Sequence, residues 1–398
     1  MDGNSTKPTL PPELFDWIIG QIHDDLSLLL TCSLVCRSWL ASSRYHIFRY
    51  KVVTLRPRNV QAFVRLITSP SSTIHPYIHA IELVSSDTLR DGYNSQWLDS
   101  VIHTLASLPC VAEVLIENMD WGHINSSTKS TLLTGFRAIT RLELRASDFE
   151  SVSHLVQLIC SKPSLQILNC DNLGWVDPFS EVPPDSIPQT VPLMLHSLRL
   201  RDCYQRDILD WLASNDALPP IHHIHFGSIH PEDTHSIGRF LQRLGSSLWT
   251  LQLQFWSLDP GGDAEDFCTR VNLAHNSALH TIILDKFIHY STHSFSSAVG
   301  WIPQLMSSVL SLKEFSFGVA IRDVAELYSD LGDDDPIDWS GLDNLFCHPR
   351  FLCLKSVRFW ISGGVEFNRA MYAITAFLPR SSERKMLQFN DGTPRLLD

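Results

Sequence analysis

The side chains with the most evident chemical potential are imidazoles. Ile221-His222-His223-Ile224-His225, followed by His230, is the densest histidine cluster of the chain. His223 and His225 alternate along an expected strand and so share one face, which is how two ligands of a zinc site are presented. Spacing supplies no third ligand. Cys203, placed after the preceding strand, is a weak candidate, and solvent-facing histidines are the simpler expectation. Cys32 and Cys36, four apart on an expected helix, would share a helix face as half of a metal site, but read more simply as core thiols. The acidic run Asp333, Asp334, Asp335 and Asp338 lacks the glycine turn and distal glutamate of a calcium loop and reads as solvated. No G-x-S-x-G, H-E-x-x-H, paired C-x-x-C or phosphate-cradling Gly-Lys-Ser/Thr occurs. The expectation is therefore no catalytic residue, no metal, no cofactor and no enzyme activity.

The elements that would carry these side chains repeat. An apolar pattern close to L-x-x-L-x-L recurs ten times between residues 78 and 362. It starts at Ile78-His79-Ala80-Ile81-Glu82-Leu83 and ends at Leu354-Lys355-Ser356-Val357-Arg358-Phe359. The middle apolar residues are 81, 114, 142, 168, 198, 224, 251, 282, 315 and 357, mostly about 26 to 33 apart, close to the period of a leucine-rich repeat. Helix-like segments lie between them at 96–108, Val152–Cys160, 208–213, 236–244 and 295–310. A strand then a helix, repeated with each new strand parallel, predicts an α/β solenoid in which each unit buries its apolar face against its neighbours. The competing reading is an α/β domain whose strands merely look alike. A proline-rich insertion at 177–192 and an acidic one at 329–341 interrupt the series, and the polar stretch from residue 380 is expected to be a loose tail.

With a period of two, the residues flanking each middle apolar residue point away from the core, onto the concave face of such a solenoid. They are Arg141, Glu143 and Arg145, then Asn169 and Asp171, Arg199 and Arg201, His223 and His225, and Gln252 and Gln254. Ten strands at about 4.8 Å give roughly 45 Å of ladder, enough for a peptide or a folded partner. Arg199 and Arg201 suit an acidic or phosphorylated residue through forked hydrogen bonds; the alternative is that they are solvated.

The first fifty residues follow a different pattern. Pro11 and Pro12 fit a helix start. Leu14, Phe15, Ile18, Ile19 and Ile22 fall on one helical stripe, with Trp17 off it. The stretch 26–40 is densely apolar and reads as a helix with no fully polar face. So small a unit cannot hide that much apolar surface, so the excess covers another part of the chain or a partner.

Leu10-Pro11-Pro12-Glu13-Leu14, Ile18-Ile19, Leu34-Val35-Cys36-Arg37-Ser38-Trp39 and Phe48 together resemble the F-box, over about 40 residues. The resemblance implies that Leu10, Pro11, Leu14, Ile18, Val35 and Trp39 contact a Skp-type adaptor, and through it a cullin, with Glu13 and Arg37 at the motif's polar positions. His23-Asp24-Asp25 departs from the Pro or small polar turn of many members. The later part resembles the irregular leucine-rich repeats that follow many F-boxes. The Asn or Cys after the strand is only partly kept: Cys203 and Asn118 fit, Ser147 and Gly227 do not.

The expected layout is a flexible N-terminus (1–8), F-box-like helices (9–50), a curved leucine-rich-repeat-like solenoid with a concave parallel sheet and outer helices (51–379) and the tail (380–398). A net charge of −12 speaks against a general nucleic-acid or anionic-membrane binder. No basic leader, no long apolar run and nine scattered cysteines predict a reduced, cytoplasmic or nuclear protein. The resemblance implies a target-recognition subunit of a cullin-type ubiquitin ligase. The alternative is a non-degradative scaffold whose solenoid binds a partner.

Overall fold

The computed structural model describes residues 11–85, 95–175, 190–256, 262–289, 298–309, 311–327 and 337–394. Two compact units divide the chain. The first holds residues 1–150 and 161–165, the second 151–160 and 166–398.

The first unit opens with three helices: α1 (Pro12–Gly20), α2 (Leu26–Val35) and α3 (Arg37–Tyr50). Pro11 precedes α1 as its N-cap, where a missing N–H costs nothing. The Asp25 carboxylate caps α2 by accepting from the Leu28 N–H at 2.9 Å, which gives Asp25 a local structural role. The expected single helix over 26–40 is broken. Cys36 is fully extended (φ −160°, ψ 168°) between α2 and α3, and it is exposed, so only Cys32 of that pair is a core thiol. The core of the three helices is small: Ile19, Leu29 and Ile47, with Ile22, Trp39 and Phe48 packed against them.

Four strands follow in this unit: β1 (Val53–Leu55), β2 (Ala80–Val84), β3 (Glu113–Glu117) and β4 (Arg141–Phe149). Each pairs in parallel with the next. The second unit continues with β5 (Ile167–Trp175), β6 (Ser197–Arg201), β7 (His223–Ile229), β8 (Thr250–Phe255), β9 (Thr281–His289), β10 (Glu314–Ala320), β11 (Ser356–Ser362) and β12 (Leu387–Asp391). These too are parallel and adjacent in chain order. The ten L-x-x-L-x-L copies are β2 to β11. The expected helical segments appear at Val152–Cys160, Gln205–Ser214, Pro231–Leu244 and Ala298–Ser307, and as a turn and short helix, Gln96–Ser100 and Ile102–Ala106.

Parallel strands need a crossover between them, and the helices supply it while covering the apolar face. Ile282, Leu284, Phe315, Phe317, Val357 and Phe359 are all essentially buried. Phe317, Phe359 and Phe389 stand in register on β10, β11 and β12, with centroid spacings of 5.2 and 5.7 Å. β1 and β12 carry no copy of the motif. β12 and the helix Pro379–Glu383 before it occupy the stretch expected to be a loose tail; pairing with β11 orders it. Of the two insertions, only 190–192 and 337–341 fall within the described residues, and there Asp338 caps the helix Trp339–Phe346 through the Gly341 N–H at 2.7 Å.

One backbone feature recurs in both units. Asn118, Ala146, Asn172, Asp202, Ser228 and Lys286 all have φ between 44° and 56°. Each lies four residues past the middle apolar residue of its copy, so the same left-handed step recurs at one position of the repeat, within β4, β5, β7 and β9 and just past the end of β3 and β6. Asn and Asp adopt this region readily. Ala146, Ser228 and Lys286 hold it at a cost of about 1–2 kcal/mol each, met by the surrounding ladder. Ser147, which offered no Asn or Cys, still links strand ends: its Oγ accepts from the Met119 N–H (3.1 Å) and donates to the Arg145 carbonyl (2.8 Å).

Among the described residues, no helix is long and apolar enough to cross a membrane.

Candidate functional site

Two kinds of surface stand out. The first is apolar. α1 does not carry one apolar stripe but two. Phe15, Ile19 and Ile22 turn inward, with Phe15 5.8 Å from Trp39. Leu14, Trp17 and Ile18 are 44%, 65% and 41% exposed. Trp17 thus belongs with the outward residues at i, i+3 and i+4. On α2 only Leu29 and Cys32 are buried, while Leu26, Leu28, Leu30, Leu34 and Val35 are exposed, Leu34 the most at 86%. Of seventeen exposed large apolar residues among those described, nine precede residue 53.

Of the residues expected to touch an adaptor, Pro11, Leu14, Ile18 and Val35 are exposed, and Leu10 lies outside the described residues. Trp39 is half-buried and packs inside the helical core, so much of its surface is already used.

The second surface is polar, on the strand positions that alternate with the core. In the first unit, Glu143 sits between Arg141 and Arg145 on β4. It accepts from Arg145 Nε at 2.7 Å and lies 3.8 Å from Arg141. In the second unit, one row is formed by Asn169, Arg199, His225, Gln252, Ile283, Ser316 and Arg358, paired strand to strand. Three residues past the middle apolar position of each copy lies a second row, containing Asp171, Arg201, Gly227, Gln254, Asp285 and Gly318.

These rows are far from fully solvated. Asn169, His225, Gln252 and Gln254 are buried. Arg201 is clamped by Asp171 across the ladder, Nε to Oδ1 at 2.9 Å with a second bond from Nη2 to Oδ2. That bond holds Arg201 firmly charged, raising its pKa. Gly227 makes this possible: a Cβ there would lie 2.4 Å from Arg201 Cγ, so the arginine stem fills the space a side chain would take. Asp285 sits in a second glycine notch, where a Cβ on Gly318 would come within 3.0 Å of its Oδ1 and 2.9 Å of the Lys286 nitrogen.

Asp285 is the hub. It accepts from Gln252 Nε2 (3.3 Å) and from the Lys286 N–H (2.9 Å), and His225 Nε2 is 3.8 Å away. Burial pushes the Asp285 carboxyl up from the usual carboxylate range. Burial, then the nearby Arg199, Arg201 and Lys286 charges, drive the His225 imidazole far down, keeping it neutral. Beside them opens a cavity of about 290 Å³ lined by Arg199, Arg201, Asp285, Lys286 and His289, with Thr393 and Pro394 beyond β12 on its wall.

Sequence reasoning named Arg199, Arg201, His225 and Gln252, which the fold brings together here. It missed Asp285, Lys286 and His289. Ile283 is apolar at the outward position of its copy, which hid the strand's polar end; extending the period of two by one step reaches Asp285.

The histidine cluster does not converge. His222 stacks on Trp249 (4.0 Å) and bonds the Ser247 carbonyl; His223 is half-buried; His230 leans on Trp256 (5.4 Å). His225 is buried, not solvent-facing: side chains from neighbouring strands close over it, with Asp285 3.8 Å from its Nε2 and the charges of Arg199, Arg201 and Lys286 nearby. Among the described residues no three His, Cys, Asp or Glu side chains are grouped to hold a metal. All nine cysteines are free thiols.

No family model matches this chain, and no curated protein matches it.

Proposed function

We propose that the chain is a target receptor for a cullin-type ubiquitin ligase: an F-box protein whose later, leucine-rich-repeat-like region binds a protein target from the concave face of a solenoid. The outward faces of α1 and α2 dock on a Skp-type adaptor in the cytoplasm or nucleus, and the polar strand face holds the target. The chain makes and breaks no bond. It raises the effective concentration of target lysines near the ubiquitin-charged enzyme.

The observation that carries this reading is the apolar surface of the first helices. Three buried residues form their core, while Trp17, Leu30, Leu34 and Val35 are each at least half exposed. Covering such side chains yields about 1.5–3 kcal/mol each at full burial, enough in sum for a lasting complex. Left open, the same surface would promote association with unrelated chains.

The test is co-expression with a Skp-type adaptor and a cullin, followed by capture of the chain. The wild type retains both. Leu34→Glu/Val35→Glu loses both while its circular dichroism and unfolding midpoint stay unchanged. A folded wild type that retains no adaptor would overturn the reading and leave the non-degradative scaffold.

A further inference from the structure

Where the strands of the second unit begin, the ladder holds one residue of each repeat at the same level. From Gln166 the row runs through His196, His222, Trp249, His280, Lys313 and Lys355, each backbone N–H donating to the carbonyl of the residue before it in the row at 2.8–3.0 Å. All of them are half-buried or exposed. We propose that this strand-entry edge is an interaction surface for an extended, acidic segment of a partner protein, with Lys313 and Lys355 taking its carboxylates and the His222–Trp249 stack and its neighbours an apolar side chain. In calling that partner a ligase target the proposal rests on the target-receptor reading; as a binding surface it stands without it.

Charge carries the argument. The chain has 43 acidic residues against 31 basic ones, yet the stretches that lead into β6 to β11 (191–196, 217–222, 244–249, 275–280, 308–313 and 350–355) contain neither aspartate nor glutamate. They do contain Lys313, Arg350 and Lys355. Lys313 and Lys355 are exposed on adjacent strands, where like charges repel. Among the described residues neither lysine has a side-chain hydrogen bond or an ion pair. Glu314, the residue after Lys313, is engaged elsewhere: Arg358 is 2.9 Å away and Ser316 donates to it at 3.1 Å. Carboxylates arriving from a partner relieve a repulsion that the described residues leave standing.

The other end of the edge is apolar. Leu193 and Met194, just before His196, are both more than half exposed. Trp249 is 42% exposed, with the His222 ring stacked on it at 4.0 Å and the edge of the His223 ring 6.1 Å away. His222 is itself held by the Ser247 carbonyl at 2.8 Å, so the indole has a fixed support before any partner arrives. From His196 to Lys355 the row spans about 24 Å, the length of about seven extended residues. A nucleic-acid strand needs cations along its whole path. This edge has them at one end and apolar groups at the other, which matches a polypeptide of mixed side chains.

The full chain is titrated by fluorescence anisotropy with labelled probes. They are an octapeptide with leucines at one end and aspartates at the other, made in both chain orders, the same peptides with asparagine for aspartate, and a single-stranded DNA octamer. The acidic peptide binds in at least one order, and its asparagine form binds about tenfold more weakly or worse. Lys313→Gln/Lys355→Gln weakens the acidic peptide about tenfold and flattens its dependence on salt, while the asparagine peptide is unaffected. Trp249→Ser weakens both peptides. All three side chains are exposed, so circular dichroism and unfolding midpoints of the variants match the wild type. A folded wild type that binds aspartate and asparagine peptides equally, or neither, overturns the proposal. So does DNA binding tighter than the acidic peptide, and so does acidic-peptide affinity indifferent to the lysine substitutions. Adaptor capture is unchanged in these variants, so failure here is distinct from failure of the adaptor reading.

Discussion

The three leading helices and the strand–helix repeats are both rich in leucine and isoleucine, yet they use them oppositely. In β9 to β11 the motif residues are buried almost without exception, and Phe317 and Phe359 stack at 5.2 Å. In α1 and α2 most large apolar side chains remain in water, around a core of Ile19, Leu29 and Ile47. A repeat meets a neighbouring copy on either side, so its apolar face is always answered. The helices have no such copy. The same composition stabilises the fold in one region and is left for an outside surface in the other.

Unfolding experiments can break or sharpen this contrast. The largest effect belongs to the repeats: Phe317→Ala removes a fully buried ring and should lower stability by about 3–5 kcal/mol, read from denaturant midpoints at constant slope. A loss below about 1 kcal/mol would mean that the repeats are as loosely packed as the helices.

Next is Lys162, which is buried and donates from Nζ to the carbonyls of Leu132, Leu133 and Gly135 at the end of the helix Ser126–Thr134. Lys162→Met leaves those carbonyls without their donor and should cost about 2–3 kcal/mol. Burial, with Arg137 nearby, lowers the amine's pKa from 10.5 to about 8. Between those values the unfolded chain binds more protons than the folded one, so wild-type stability rises with pH from about 8 to 10.5. The Met variant should lack that rise, and parallel pH profiles for both proteins would remove Lys162 as its source.

The smallest effect closes the comparison. Leu34→Ser replaces a residue that is 86% exposed and should shift stability by no more than about 0.5 kcal/mol in the chain alone. A loss above about 1.5 kcal/mol would mean that Leu34 is packed in solution, and the apolar surface would disappear with it.

Much of this was legible in advance, for identifiable reasons. The ten motif copies fall on β2 to β11 because a buried parallel strand needs apolar residues at fixed alternate positions and tolerates little else. The surplus of the first helices was legible from composition. Other features were not. The break at Cys36 replaces what reads as one continuous helix, and its extended backbone has no Pro or Gly to announce it. Trp17 joined the outward stripe because α3 packs against the other side of α1, a choice that helical periodicity leaves open when both stripes are apolar. β12 has a weak apolar pattern and is a strand because β11 offers it a free edge. Asp285 was hidden behind Ile283.

By itself the sequence determined the repeating strand, its period and the face each residue takes, because alternation along a strand is a local, steric property. The tertiary structure alone decided which polar residues meet. Whether Arg199, Lys286 and Asp285 share a cavity depends on parallel register across several strands, and whether Leu34 is covered depends on where neighbouring helices pack. Both are sums of distant contacts that no local pattern encodes.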